Sequence, residues 1–244
     1  AIDADANELA LIPDENHGEI WAALIDRLQA IPAYDHLFQA AYPGLQKEDW
    51  GFQHAANALA AYEIDAFSFA DSPWDRYLAG ETTALTEQAK AGALLFYGEA
   101  GCASCHSGSL LTDQQFHNIG VPQLGPGKDE TGLDPGRFLV TNDPQDRFAF
   151  RTPPLRNVAL TGPCMHNGAF DSLEGTVRHH LNCVESMTGY TGTHLPAVVL
   201  ATVRNDQSIR SALLPTLDPL IAEEKRLTEE EMGRIIEFLR AQTS

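Results

Sequence analysis

Cys102-Ala103-Ser104-Cys105-His106 sets two thiols three residues apart, with an imidazole directly after the second. No other stretch limits the chain's fold so strongly. C-x-x-C-H is the pattern for covalent attachment of c-type haem. The thiols add across the two vinyl groups of the porphyrin, and the adjacent histidine is carried under the iron as its proximal ligand. A redox dithiol and half of a zinc site are the competing readings. The dithiol would sit at a helix start within a βαβ pattern, and no such pattern surrounds it. The zinc site would need a second ligand pair at close spacing, and none is found. Cys102, Cys105 and His106 are therefore read as the holders of one covalently bound haem c. Attachment of haem c takes place outside the bacterial cytoplasm, so a periplasmic or cell-surface location is expected.

The remaining two of the four cysteines, Cys164 and Cys183, are then candidates for a disulfide, with two buried free thiols as the other reading. The sixth iron position is open at this level. His17, His36 and His54 fall in N-terminal helical stretches and read as surface or packing residues. His117 follows the haem motif closely, and Met187 and His194 are expected in a later loop. His179 and His180 share a helix. Neighbours on a helix point about 100° apart, so only one of the pair can face the iron.

The chain of 244 residues carries 16 basic and 34 acidic side chains, a formal charge of −18. That charge argues against nucleic acid or anionic membrane as a partner, because phosphate contacts need clustered Lys and Arg. With 43% hydrophobic residues the chain can build a real core. No apolar run approaches the ~20 residues that span a bilayer. Ala1–Ala10 has no basic or apolar signal region and no initiator Met, and is read as the start of a processed or trimmed polypeptide.

The apolar spacing predicts helices over Glu19–Ala30, Tyr34–Ala41, Phe52–Phe69 and Glu87–Tyr97. Asp71-Ser72-Pro73 marks a turn. From Gly98 to about Thr161 the chain is rich in Gly, Pro, Asn and Asp, and Gln123–Gly136 must be loop. A short extended piece is expected at Arg147–Phe150. Ser172 caps a helix to about Leu181, and Thr228 with Glu231 forms a capping box for the last helix. The fold class is mainly α with long loops in the middle, and loops that long usually surround a ligand.

Several blocks resemble one family. IPAYDHLFQAAYPG (Ile31–Gly44) is similar to its IPEYxxLFxxAFPG stretch, and SPWDRYLAGE (Ser72–Glu81) to its SPFDRYLxGD. LFYGEAGCASCHSG (Leu95–Gly108), FHNIGVP (Phe116–Pro122), FRTPPLRNVALTGPCMHNGAF (Phe150–Phe170) and SLEGTVRHH (Ser172–His180) follow in the right order. The ending LTEEEMGRIIEFLRAQT is similar to the family's terminal helix. On these blocks the chain resembles the bacterial dihaem cytochrome c peroxidases, which include the MauG-type enzymes.

The resemblance implies a class I-like cytochrome c domain over residues 81–244. Residues 1–80 would be a helical segment resembling the rear half of the family's first haem domain. The Cys102–His106 motif corresponds to the electron-entry haem. Its distal ligand is Met in the peroxidases and Tyr in the MauG type, and the matching position is His180. A bis-His haem on His106 and His180 is implied, with a lower potential than Met ligation gives. The family's calcium ion, held by backbone carbonyls, would fall on Thr161 and Pro163, where a plain proline turn is the other reading. His166 matches a histidine near the haem, with a structural, hydrogen-bonded histidine as its plainer role. Cys164 stands where the family usually has Tyr.

The departure lies upstream. The family's first haem has its own C-x-x-C-H, and this chain has no second one. Neither the tryptophan between the two haems nor the glutamate used in peroxide cleavage can be carried over; Glu15 and Glu19 are near but do not match. The lone helical segment should expose apolar faces, unfavourable at about 25 cal/mol per Å². Either a haem-bearing N-terminal fragment or partner chain covers them, or the segment folds onto the haem domain or forms a homodimer. The first explanation is preferred.

The functional expectation is the electron-entry portion of a peroxidase-like enzyme that reduces hydrogen peroxide. Its donor would be a small basic cytochrome c or copper protein, steered by the acidic surface. The alternative is a self-contained monohaem electron carrier without peroxidase activity. A haem-based ligand sensor ranks third.

Overall fold

The computed structural model describes residues 7–13, 15–67 and 70–244. The chain divides into two compact units, Ala1–Phe69 and Ala70–Ser244. The division falls ahead of the SPWDRYLAGE block, which belongs to the second unit.

The first unit holds α1 (His17–Gln29), α2 (Pro32–Ala41) and α3 (Phe52–Phe67). Pro32 opens α2, where its fixed φ suits a first turn and its missing N–H is no loss. The buried centre is small: Ile25, Phe38 and Trp50, with Leu28, Tyr34, Tyr42, Leu45 and Phe52 around them. Phe38 stacks on Trp50 with ring centroids 4.3 Å apart. The helix α3 buries none of its residues. Leu59, Tyr62, Ile64 and Phe67 on it are each more than half exposed.

In the second unit, Asp71-Ser72-Pro73 is more than a turn. Ser72 caps a short helix, α4 (Pro73–Leu78), in a reciprocal capping box with Asp75. The helix α5 (Glu87–Tyr97), capped by Thr86, ends at Gly98. The loop region carries a two-stranded antiparallel ribbon, β1 (Phe116–His117) on β2 (Phe150–Arg151), with His117 opposite Phe150. The one-turn α6 (Phe138–Thr141) lies between them in sequence. Then come α7 (Leu173–Leu181), capped by Ser172, and α8 (Cys183–Gly189). Met187, expected in a loop, lies on α8 because Asn182 caps a new helix there. Short helices α9 (Ala197–Leu200), α10 (Gln207–Leu213) and α11 (Pro219–Ala222) follow, and α12 (Glu229–Arg240) closes the unit.

The core is built where α5, α7 and α12 meet. It contains Ala93, Phe96, Ala100, Val177, Leu181, Met232, Ile235, Phe238 and Leu239. Gly92 lets α5 approach α12, since a Cβ there would stand 1.9 Å from the Arg234 carbonyl oxygen. The loops are not loose, because two further buried clusters pin them: Val121, Ala169, Phe170 and Tyr190, and Leu133, Phe148, Met187 and Leu213.

Cys164 and Cys183, the disulfide candidates, are unpaired. The buried Cys183 thiol donates to the Ile221 carbonyl at 3.2 Å, and the Cys164 amide to the Phe170 carbonyl at 2.7 Å. Cys164 packs instead against the Val121, Ala169, Phe170 and Tyr190 cluster. Among the described residues no helix is long and apolar enough to cross a membrane.

Candidate haem site

The C-x-x-C-H stretch leaves α5 through Gly101, whose φ of +70° turns the chain back toward the core. Cys102–Ser104 form a tight 3-10 turn, in which side chains three apart lie on one face. Cys102 and Cys105 are so related, which is why two intervening residues suit attachment to one flat group. Cys102 and Ala103 pack against the α5–α7–α12 core. Burial pushes the Cys102 thiol up to about 11. Burial, then the carboxylates of Asp113 and Asp218, push Cys105 up to about 11 as well.

His106 lies opposite His180 of α7, with ring centroids 6.4 Å apart and planes at 62°. His106 spends its Nδ1 on the Leu111 carbonyl at 3.0 Å, and His180 its Nδ1 on the Thr176 carbonyl at 2.8 Å. A carbonyl only accepts, so each Nδ1 carries the proton and each Nε2 keeps its lone pair. Among the described residues neither Nε2 takes a hydrogen bond. Burial, with His180 alongside, holds His106 down to about 4, and burial lowers His180 also. Both rings are thus neutral donors at neutral pH.

His179, next on the same helix, is arranged otherwise. It is 0% exposed. Its Nε2 donates to the Ile119 carbonyl at 2.8 Å and its Nδ1 lies 3.0 Å from the Ser186 hydroxyl. Both nitrogens are consumed in tying α7 to the segment that follows β1 and to α8. The pair that sequence leaves unresolved is separated here by partners: His179 is structural, and His180 has a ligand atom to spare.

These donors fit a bis-imidazole iron. Two bonds of about 2.0 Å to ring nitrogens place the ring centroids roughly 6 Å apart, close to the observed spacing.

The other candidates are engaged elsewhere. Met187 is 1% exposed and packs with Leu133, Phe148 and Leu213. His194 gives its Nε2 to the Ala169 carbonyl at 3.0 Å. His17, His36 and His54 belong to the first unit, where His17 stacks on Trp21 and the His54 Nδ1 accepts from the Gly51 amide. His166 stacks on Phe150 with centroids 3.5 Å apart, and its ring nitrogens take no hydrogen bond among the described residues. Thr161 and Pro163 lie on an exposed turn, and neither carbonyl accepts a hydrogen bond among the described residues.

Two features of the site were not found in the sequence. Arg156 forms a close ion pair with Asp75 and donates twice to the Ser109 carbonyl, at 3.0 and 2.8 Å. It joins the SPWDRYLAGE and FRTPPLRN blocks to the segment after His106. His117 lies between two carboxylates, with Nδ1 2.6 Å from Asp218 and Nε2 3.0 Å from Asp113. Cys105, Asp113 and His117 bring their ligand atoms within 4.8 Å of one another. The only local signal for this cluster was the spacing of Asp113 and His117, and Asp218 is 101 residues away.

Comparisons with known proteins identify the family. Residues 3–83 match the family model for di-haem cytochrome c peroxidase. The chain is 36% identical over 181 residues to the methylamine utilization protein MauG of Methylorubrum extorquens, covering 74% of this chain and 48% of that protein. It is 36% identical over 176 residues to the cytochrome c551 peroxidase of Pseudomonas aeruginosa, covering 71% and 50% respectively. Among solved structures, a MauG-like protein associated with microbial copper homeostasis superposes with a TM-score of 0.53 at 30% identity, over 72% of this chain and 52% of that one. The diheme peroxidase BthA of Burkholderia thailandensis shares the fold, with a TM-score of 0.61 at 22% identity over 91% of this chain and 58% of that one. The chain thus spans about half the length of these relatives. With a mainly α fold, a C-x-x-C-H turn and these relatives, the chain belongs to the dihaem cytochrome c peroxidase/MauG family.

Proposed function

We propose that this chain is the electron-entry portion of a periplasmic, dihaem cytochrome c peroxidase-like enzyme that reduces hydrogen peroxide. The observation that carries the reading is the His106–His180 pair, 6.4 Å apart across the turn that holds the two attachment thiols. Cys102 and Cys105 would hold one haem c covalently, and His106 and His180 would ligate its iron. When bound, the haem supplies a one-electron iron couple. The chain's own part is to fix that group rigidly. Leu111 and Thr176 orient the two imidazoles, and Arg156 anchors the segment beyond His106 to α4.

The donor we assign is a small basic cytochrome c or copper protein, because the chain's charge of −18 favours a cationic partner. The exposed apolar side chains of α3 suit a haem-bearing fragment or partner chain laid over the first unit. The unengaged carbonyls of Thr161 and Pro163 are the atoms assigned to a calcium ion. His166, beside that turn, is assigned to the haem's surroundings. The periplasmic assignment follows from the chemistry of haem c attachment.

The test is the optical and spin-state spectrum of the haem-loaded chain, with native and denatured intact mass. A low-spin spectrum that His180→Ala converts to high spin supports the ligand assignment. A variant that stays low-spin overturns it. A second haem-bearing polypeptide held in the native complex supports the enzyme. One haem per chain with no companion supports the electron carrier instead.

A further inference from the structure

Beside the imidazole pair, the second unit builds another cluster of titratable groups, centred on His117 of β1. Both of its ring nitrogens face carboxylate oxygens, Asp218 at 2.6 Å and Asp113 at 3.0 Å. A carboxylate accepts and does not donate, so this arrangement is satisfied only when both nitrogens carry protons. The ring is then an imidazolium, and an imidazolium has no lone pair for a metal. The cluster is therefore a proton site. The His117 side chain is 15% exposed and the carboxylates 21% each, so solvent can supply the proton. One Asp113 oxygen and one His117 ring nitrogen also stand within 4.8 Å of the Cys105 sulfur, one of the two attachment atoms.

We propose that His117 is the proton site coupled to electron entry: gain of one electron at the haem site is accompanied by uptake of one proton at His117 Nε2. This rests on the haem assignment above and deepens it. In balance, a one-electron donor protein supplies the electron, and an O–H bond of solvent water breaks to supply the proton and leaves hydroxide in the bulk. One N–H bond forms at Nε2, on the longer and weaker of the two contacts. The reason is electrostatic. The ferric state carries one positive charge more than the ferrous state, and that charge next to a partly buried cation loosens its proton. Peroxide reduction to water consumes two protons with its two electrons, so a coupled proton site suits the proposed reaction.

Burial lowers the proton affinity of His117, but the bonds to Asp218 and Asp113 outweigh it and hold it above 6.5. The coupling window runs from the pH at which the oxidised form loses this proton to the higher pH at which the reduced form does. The Cys105 sulfur is an uncharged thioether once the haem is attached, and it adds no titration of its own. Arg151 of β2 pairs in register with Phe116, and Arg137 lies over the Phe116 ring at 4.0 Å. The His106 ring is neutral at these pH values.

The experiment is a spectroelectrochemical titration of the haem-loaded chain from about pH 5 to 10. The midpoint potential should be flat at acid pH, where both redox states hold the proton. It should then fall, by up to about 59 mV per pH unit, the value of a tenfold change for one electron. His117→Gln should flatten the profile across that window. Asp218→Asn should move the fall toward acid pH. A His117→Gln profile that keeps the original fall overturns the proposal. If His117→Gln does not load haem, Asp218→Asn decides: an unmoved window also overturns it. A chain that shows the coupled profile yet accepts no electrons from a basic donor would refute the electron-entry reading and leave the proton site standing.

Discussion

The two units differ in how completely they bury what they build. In the second, Phe238 is 0% and Ile235 1% exposed, and α5, α7 and α12 enclose one continuous core. In the first, Ile25, Phe38 and Trp50 are buried, while α3 leaves Leu59, Tyr62, Ile64 and Phe67 largely in water. That apolar exposure is the observation behind the partner proposed above. The lesson is that one chain can close one core completely and leave apolar side chains of its other unit in water. The partner proposed above bears on the first unit alone, whereas the imidazole pair is assembled wholly within the second.

The largest expected effect separates the units by chemistry. Changing Cys102 and Cys105 together to Ala should abolish covalent haem, leaving a denaturing gel blank under haem staining. The first unit should keep its helical circular dichroism. Parallel loss of the α1–α3 signal would break the comparison, because it would make the first unit dependent on the haem site.

The next effect contrasts packing. Phe238→Ala should destabilise the second unit by about 3–5 kcal/mol in chemical denaturation, since a fully buried aromatic is lost and a cavity remains. Leu59→Ser on α3 should stay within about 0.5 kcal/mol. The same Leu59→Ser change should weaken any complex with a haem-bearing partner. A large stability loss from Leu59→Ser would mean that α3 is covered within the free chain.

A smaller, pH-dependent effect tests the strut between α4 and the haem segment. Burial raises the Asp75 carboxyl, but bonds from Arg156 and Ser72 outweigh it and hold it below its usual range. A depressed carboxyl stabilises fully above its unfolded value of about 3.9 and loses that contribution as pH falls through the folded value. Asp75→Asn should therefore cost about 1.5–3 kcal/mol at neutral pH, and the gap to the parent should narrow as pH falls through the depressed folded value. A gap constant with pH would assign the loss to packing instead of charge.

Where the chain signals locally, its sequence was readable. Thr86, Ser172 and Thr228 each precede an apolar stripe, and each caps the helix expected there. The helices α9 and α11 have four residues each, too few for any period to show, although Asp218 and Pro219 mark the start of α11. Met187 was misplaced because Asn182 starts a helix directly after α7 ends. At the site, Cys102, Cys105 and His106 are adjacent and legible as a motif. His180 came from the family resemblance alone, since helix phase excludes one of two neighbours without saying which. The distinction from His179 lies in Ile119 and Ser186, which only the fold brings near. The strut of Arg156 on Asp75 and Ser109, and the bridge of His117 to Asp218, were beyond any local pattern.

The smallest effect returns to the two units through their helix ends. In the second unit, the Thr228 hydroxyl accepts from the Glu231 amide while the Glu231 carboxylate reaches back to the Thr228 amide at 2.8 Å. In the first, α1 begins at Asn16 with no side-chain hydrogen bond, although Asn is among the best capping residues. Thr228→Ala should cost about 1 kcal/mol, because it leaves the Glu231 amide with water alone. Asn16→Ala should cost only a few tenths, since there is no cap to lose. Denaturant midpoints of the two variants measure this directly. A cost for Asn16→Ala equal to that for Thr228→Ala would mean that α1 is capped in solution. The first unit would then be better finished at its helix ends than its exposed α3 suggests, and the contrast would narrow to that one uncovered face.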